Sequence, residues 1–132
     1  MNKQIVAEAI RRFAASAGAS VAEQDDMLYE TRFPNEAHPT FIGIEALGTV
    51  LSYSTPCAML PDTELAPTML TRNWGGVEDT CFYFSVNVID GDIWFNLETR
   101  QFLNDGLNSD GIVSLLGLWR HQCMQAKLTL RR

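Results

Sequence analysis

His38, His121, Cys57, Cys81 and Cys123 are the residues of this 132-residue chain best suited to nucleophilic, acid–base or metal chemistry. Their spacing does not assemble any of it. No His-x-x-x-His or His-Glu-x-x-His links the two histidines. An odd number of widely spaced cysteines without Cys-x-x-Cys argues against a disulfide framework and a zinc site. His121 and Cys123, two residues apart on a helix, point in different directions and make a poor dyad. Asp25-Asp26 and Asp90-Gly91-Asp92 lack the further ligands of a calcium loop, and the second is explained by a turn. Gly75-Gly76 is followed by no Gly-Lys-Ser/Thr, and no serine stands in Gly-x-Ser-x-Gly. The sequence thus predicts no enzyme, no cofactor and no metal.

Aromatic side chains are the better-supplied class, with seven Phe, three Tyr and three Trp. Most belong in a core. Trp94 is singled out by strand parity: if Ile93, Phe95 and Leu97 face the helices, Trp94 must lie on the opposite face, near Tyr83 or its neighbours. A large aromatic on the outer face of a sheet suggests a surface meant to be covered. The cover is either a partner or a second layer of this chain. Tyr83 and Trp94 are therefore the candidate partner-binding residues.

The elements that position them follow from hydrophobic period. Ile5, Ala9, Ile10, Phe13 and Ala17 recur at helical spacing, with Asn2 as N-cap and Gly18 as a left-handed C-cap. Met27–Phe33 alternates as a half-buried strand, and further strands are expected at 40–46 and 49–54, the last ended by Pro56. Pro61-Asp62-Thr63 reads as a helix start, with the helix running to about Trp74. Two strands, 81–89 and 93–102, are joined by Asp90-Gly91-Asp92 as a hairpin. Phe82, Phe84, Val86 and Val88 share one face of it. A final helix of about four to five turns is capped by Asn108 or Ser109. Its stripe is Ile112, Leu115, Leu116, Trp119, Cys123 and Ala126; Val113, Leu118 and Met124 widen it and hint at an interface. Strands in runs between helices predict an antiparallel α+β fold and one domain over residues 1–132.

Composition sets the outer limits. Sixteen acids against ten bases give a net charge of −6, which disfavours nucleic acid or anionic lipid as the main partner. The bases are segregated: seven lie in residues 1–12 and 120–132, while residues 13–119 carry three against fifteen acids. Solvated helix faces account for such segregation, and an acidic body seeking a basic or amphipathic partner is the sharper reading. The start lacks a 7–15-residue apolar run, and no stretch approaches the 18 apolar residues of a span. A cytoplasmic chain without membrane contact is expected.

The element order resembles the class I type III secretion chaperones, the Tir chaperone family. The likeness is strongest over residues 60–125. Leu65-Ala66-Pro67-Thr68-Met69-Leu70-Thr71-Arg72-Asn73-Trp74 resembles the family's second helix, although Pro67 and Thr68 interrupt it. Phe82–Val88, Asp90-Gly91-Asp92 and Ile93–Leu97 resemble the paired strands that follow, and Asn108–Cys123 the closing helix. YbjN-like proteins share much the same fold, and Asn73-Trp74 with Asp90-Gly91-Asp92 suits them nearly as well. The chaperone resemblance implies a bacterial homodimer that keeps the N-terminal segment of a secreted effector soluble and secretion-competent. Leu65, Met69 and Leu70 would then lie at the dimer seam. The alternatives are a YbjN-like regulatory or stress module and an immunity protein that inhibits a toxin.

Overall fold

The computed structural model describes residues 3–25, 27–45, 50–59, 82–104 and 107–130. Among these residues, two helices, α1 (Lys3–Ser16) and α2 (Ser109–Leu130), cover one face of a six-stranded antiparallel sheet. Its strands are β1 (Ser20–Asp25), β2 (Leu28–Arg32), β3 (Thr40–Glu45), β4 (Val50–Met59), β5 (Tyr83–Ile89) and β6 (Asp92–Phe102). Their order across the sheet is β1-β2-β3-β4-β6-β5, so among the described residues β1 and β5 are its edges. The α+β class and the antiparallel pairing are those expected. The predicted helix after Pro61, with Leu65, Met69 and Leu70, lies outside the described residues.

Local chemistry fixes the helix ends. Gly18 adopts φ +68°, and Ala19 N–H donates to the Ala14 carbonyl at 2.8 Å, closing α1 with a Schellman-type C-cap. Asn108 Oδ1 accepts the Gly111 N–H at 2.8 Å, so Asn108 is the cap of α2. That helix has 22 residues, about six turns, and outruns the expected length.

The buried stripe of α1 is Val6, Ala7, Ala9, Ile10, Phe13 and Ala14. Ile5 is not part of it: it is 40% exposed, because Val6 stands one turn before Ala9 and Ile10 and two turns before Phe13 on the face turned to the sheet. On α2, Ile112, Leu116, Trp119, Cys123 and Ala126 are buried, while Leu118 and Met124 are exposed. The sheet answers with Tyr29, Ile42, Ile44, Leu51, Tyr53, Phe82, Phe84, Phe95 and Leu97. Trp119 is the junction, its ring edge-on to Tyr53 at 6.0 Å and to Phe82 at 6.5 Å.

Three strand boundaries differ from expectation. The first run has four strands, because Ser20–Asp25, polar and mostly exposed, pairs with β2 as an edge. Such a segment carries no buried-strand period to be read. The turn after it begins at Met27, whose φ is +63°. Pro56 does not end β4, which continues to Met59. The ladder between β3 and β4 stops at Phe41–Ser54, so Pro56 sits beyond it, at a bulge against β6, where its missing N–H costs no ladder bond on the β3 side. The hairpin is as expected. Asp90 (φ +51°) and Gly91 (φ +84°) form a two-residue turn with both φ positive, which matches the twist of the flanking strands.

Candidate functional site

Alternation along the strands divides the sheet into a face under the helices and an open face, which no described helix covers although Asn96 on it is buried. The open face carries Leu28, Glu30 and Arg32 of β2, Phe41 and Glu45 of β3, Ser52 and Ser54 of β4, Glu98 and Arg100 of β6, and Tyr83 of β5. The ladder registers align Phe41 with Ser54, Ser54 with Glu98, and Glu98 with Tyr83. These four residues form one row across four strands, with Phe41 and Tyr83 about 14 Å apart at its ends. Tyr83 is 37% exposed. Partial burial, and next the carboxylate of Glu98 opposite, push its hydroxyl above the ordinary tyrosine range, with Arg100 opposing. Arg100 pairs with Glu45 at 3.4 Å, bracing the same face. Phe102, at the end of β6, is the most exposed large apolar residue described, at 77%.

Trp94 lies four residues from Glu98 on β6, which places it about 13 Å along the strand from the row that holds Tyr83. The two sequence-predicted contact residues thus share a strand parity without touching. Trp94 is half-buried, its ring edge-on to His38 with centroids 4.6 Å apart. His38 comes from the loop between β2 and β3, so this chain itself supplies part of the cover over Trp94. Around this pair, Cys57, Pro56, Met124 and Lys127 line a cleft of about 370 Å³. Cys57, at the bulge, directs Sγ to the Phe95 carbonyl at 3.2 Å.

His38 also walls a second cleft of about 440 Å³, bounded by Arg32, Phe41, Asn87 and Ile89. The tip of the β5–β6 hairpin therefore stands opposite the start of β3 with a groove between them. Sequence reasoning missed Phe41, and weighed His38 only for acid–base or metal chemistry. The parity of Phe41 with Glu45 was available, but which loop returns over Trp94 is decided by strand order.

Lys127 of α2 closes the first cleft. Its Nζ lies 3.4 Å from Glu36 Oε2 and 3.3 Å from Thr55 Oγ1, and Thr55 in turn accepts from Thr40 at 3.0 Å. The polar groups here are satisfied by one another. Among the described residues, no group of three His, Cys, Asp or Glu side chains is placed to hold a metal ion. His121 is exposed on α2, and Cys123 is buried against the core. The arrangement offers aromatic and apolar contact with a few polar groups between, the chemistry of recognition.

A third feature is the far half of the hairpin. Val86, Val88 and Ile93 have the same parity as Phe84 and Phe95 yet are 61%, 63% and 44% exposed. The hairpin extends past the helices, and its apolar face extends with it.

No described helix is long and apolar enough to cross a membrane. No family model matches the sequence, and no curated protein matches it. Among solved structures, the fold is similar to the crystal structure of YbjN from E. coli, described there as a candidate transcription regulator. The TM-score is 0.67 over 95% of this chain and 90% of that one, at 11% identity. At that identity the likeness is one of fold. It supports the YbjN-like expectation for the fold, and it does not show the secretion-chaperone one.

Proposed function

We propose that this chain is a non-catalytic regulatory module of YbjN-like fold, which acts by holding another protein against the open face of its sheet. The observation that carries the reading is the row Phe41–Ser54–Glu98–Tyr83 with its exposed aromatic end, beside the groove walled by His38 and Phe41. Tyr and Phe give large, stiff contact area at small entropic cost, and serines and a carboxylate between them supply orientation. The description of the YbjN neighbour as a candidate regulator supports the regulatory part. The net charge of −6 favours action through a protein rather than through direct contact with nucleic acid.

The test is capture of the partner by the tagged chain from its own host's lysate, compared with Tyr83→Ala and with Phe102→Ala. Tyr83→Ala is expected to weaken retention at least about tenfold, equivalent to about 1.4 kcal/mol, with a melting temperature within a few degrees of wild type. Equal retention by all three proteins overturns the open face as the contact surface. A single secreted protein held through its N-terminal segment would establish the narrower effector-chaperone reading. A toxin would establish the immunity-protein reading.

A further inference from the structure

The ladder between β3 and β4 stops at Phe41–Ser54, while β4 runs on and stays paired with β6 as far as Met59–Trp94. Beyond Ser54 no described strand lies on the β3 side of β4. The loop between β2 and β3 and the last turns of α2 stand there instead, and the cleft of about 370 Å³ lies among them. A strand and a helix supply two of its walls, and its volume is at the small end of ligand cavities.

Two charges of opposite sign, Lys127 of α2 and Glu36 of the loop, reach this cleft from separate elements. Their side chains are largely shielded, so a charge brought beside them is felt more strongly than at an open surface. They meet loosely. Lys127 Nζ is 3.4 Å from Glu36 Oε2 and 3.3 Å from Thr55 Oγ1, whereas a charge-assisted N–H···O bond closes to about 2.7–2.9 Å. An ammonium has three protons to give and a carboxylate several lone pairs to offer, so neither group saturates the other. Beside the pair, Pro56, Met124 and Trp94, the last held edge-on by His38, form an apolar wall.

We propose that this cleft binds a free α-amino acid with an apolar side chain. A lone carboxylate drawn to Lys127 would be repelled by Glu36, and a lone amine drawn to Glu36 would be repelled by Lys127. A zwitterion escapes this. Its ammonium and carboxylate hang on one carbon, a separation commensurate with the 3.4 Å pair, and lying antiparallel to it they set each ligand charge against its opposite. The ion pair is kept. The ligand's side chain then rests on Pro56, Met124 and Trp94. The site is separate from the row that ends at Tyr83, and it does not rest on the partner assigned to the open face.

The full chain is titrated calorimetrically with L-leucine, L-methionine and L-phenylalanine in turn. At least one is expected to bind with a dissociation constant below about 1 mM. The N-acetyl and amide derivatives of that amino acid, each missing one charge, are expected to bind wild-type protein at least about tenfold more weakly. Glu36→Gln is expected to weaken binding of the parent by a similar factor. Glu23→Gln, which removes a carboxylate from an ion pair on β1, is expected to leave it unchanged. Absence of saturable binding by all three amino acids overturns the inference. So does a derivative that binds as tightly as its parent, a comparison made on wild-type protein and independent of how any variant folds. Unchanged affinity in Glu36→Gln overturns it equally.

Discussion

Lys127, near the end of α2, reaches across to Glu36 in the loop between β2 and β3, with Nζ 3.4 Å from the carboxylate. The lysine side chain is 14% exposed and the glutamate 35%, so the pair is shielded far more than a surface ion pair. Its role is positional. It pins the last turns of the long helix over Thr55 and holds the loop from which His38 meets Trp94.

Removing one partner of this pair strands the other. Lys127→Ala is expected to cost about 1–2 kcal/mol, because Glu36 and Thr55 both lose a charged donor while Thr55 keeps Thr40. Lys127→Met, which keeps the stem packed, is expected to cost less. Urea unfolding of the two variants and wild type checks this. Equal loss in both would mean that the charge, and not the packed stem, carries the whole effect.

Tyr53 is fully buried beside Trp119. Burial, and then the neighbouring Cys123 thiol, push its hydroxyl far above the ordinary tyrosine value of about 10, against a smaller opposing effect of Arg120 and a hydrogen bond with Thr40. The unfolded chain therefore loses this proton first. Above about pH 10 the native state binds more protons than the unfolded state, so stability must fall as pH rises, by up to about 1.4 kcal/mol per pH unit. Tyr53→Phe removes that slope. Melting temperatures measured between pH 8 and 11 are expected to converge for wild type and variant as pH increases. Parallel curves would show that the alkaline loss has another origin.

The turn Asp90-Gly91 requires two residues with positive φ in succession. A Cβ at Gly91 would meet nothing within 4 Å, so the penalty for Gly91→Ala is one of backbone conformation alone. It is expected to be about 1 kcal/mol in chemical denaturation, and Asp90→Asn close to neutral. A larger loss for Gly91→Ala would indicate that the turn packs against something when the chain is in solution.

Much of the fold is legible in the residues themselves. Phe82 and Phe84 alternating with Tyr83 and Ser85, the Asp90-Gly91 turn, Gly18 after α1 and Asn108 before α2 each state a local requirement that only a few residue types meet. The stripe from Ile112 to Ala126 likewise announces a helix with one buried side. What the sequence by itself determined is therefore the kind of each element and the parity of its side chains, because period and capping act over a few neighbouring residues.

Tertiary structure decided where that parity leads. Val86 and Phe84 share a face of β5, but only Phe84 lies beneath the helices, because the hairpin is longer than the layer above it. Tyr83 and Trp94 share a parity, yet His38 returns over Trp94 while Tyr83 stays open. Ser20–Asp25 became a strand because β2 offered it an edge to pair with, and no periodicity in it could have said so. Which residues end up exposed depends on strand order and element length, quantities set by contacts between segments far apart in the chain. Local sequence fixes the face of a side chain, and the assembled layers fix whether that face is covered.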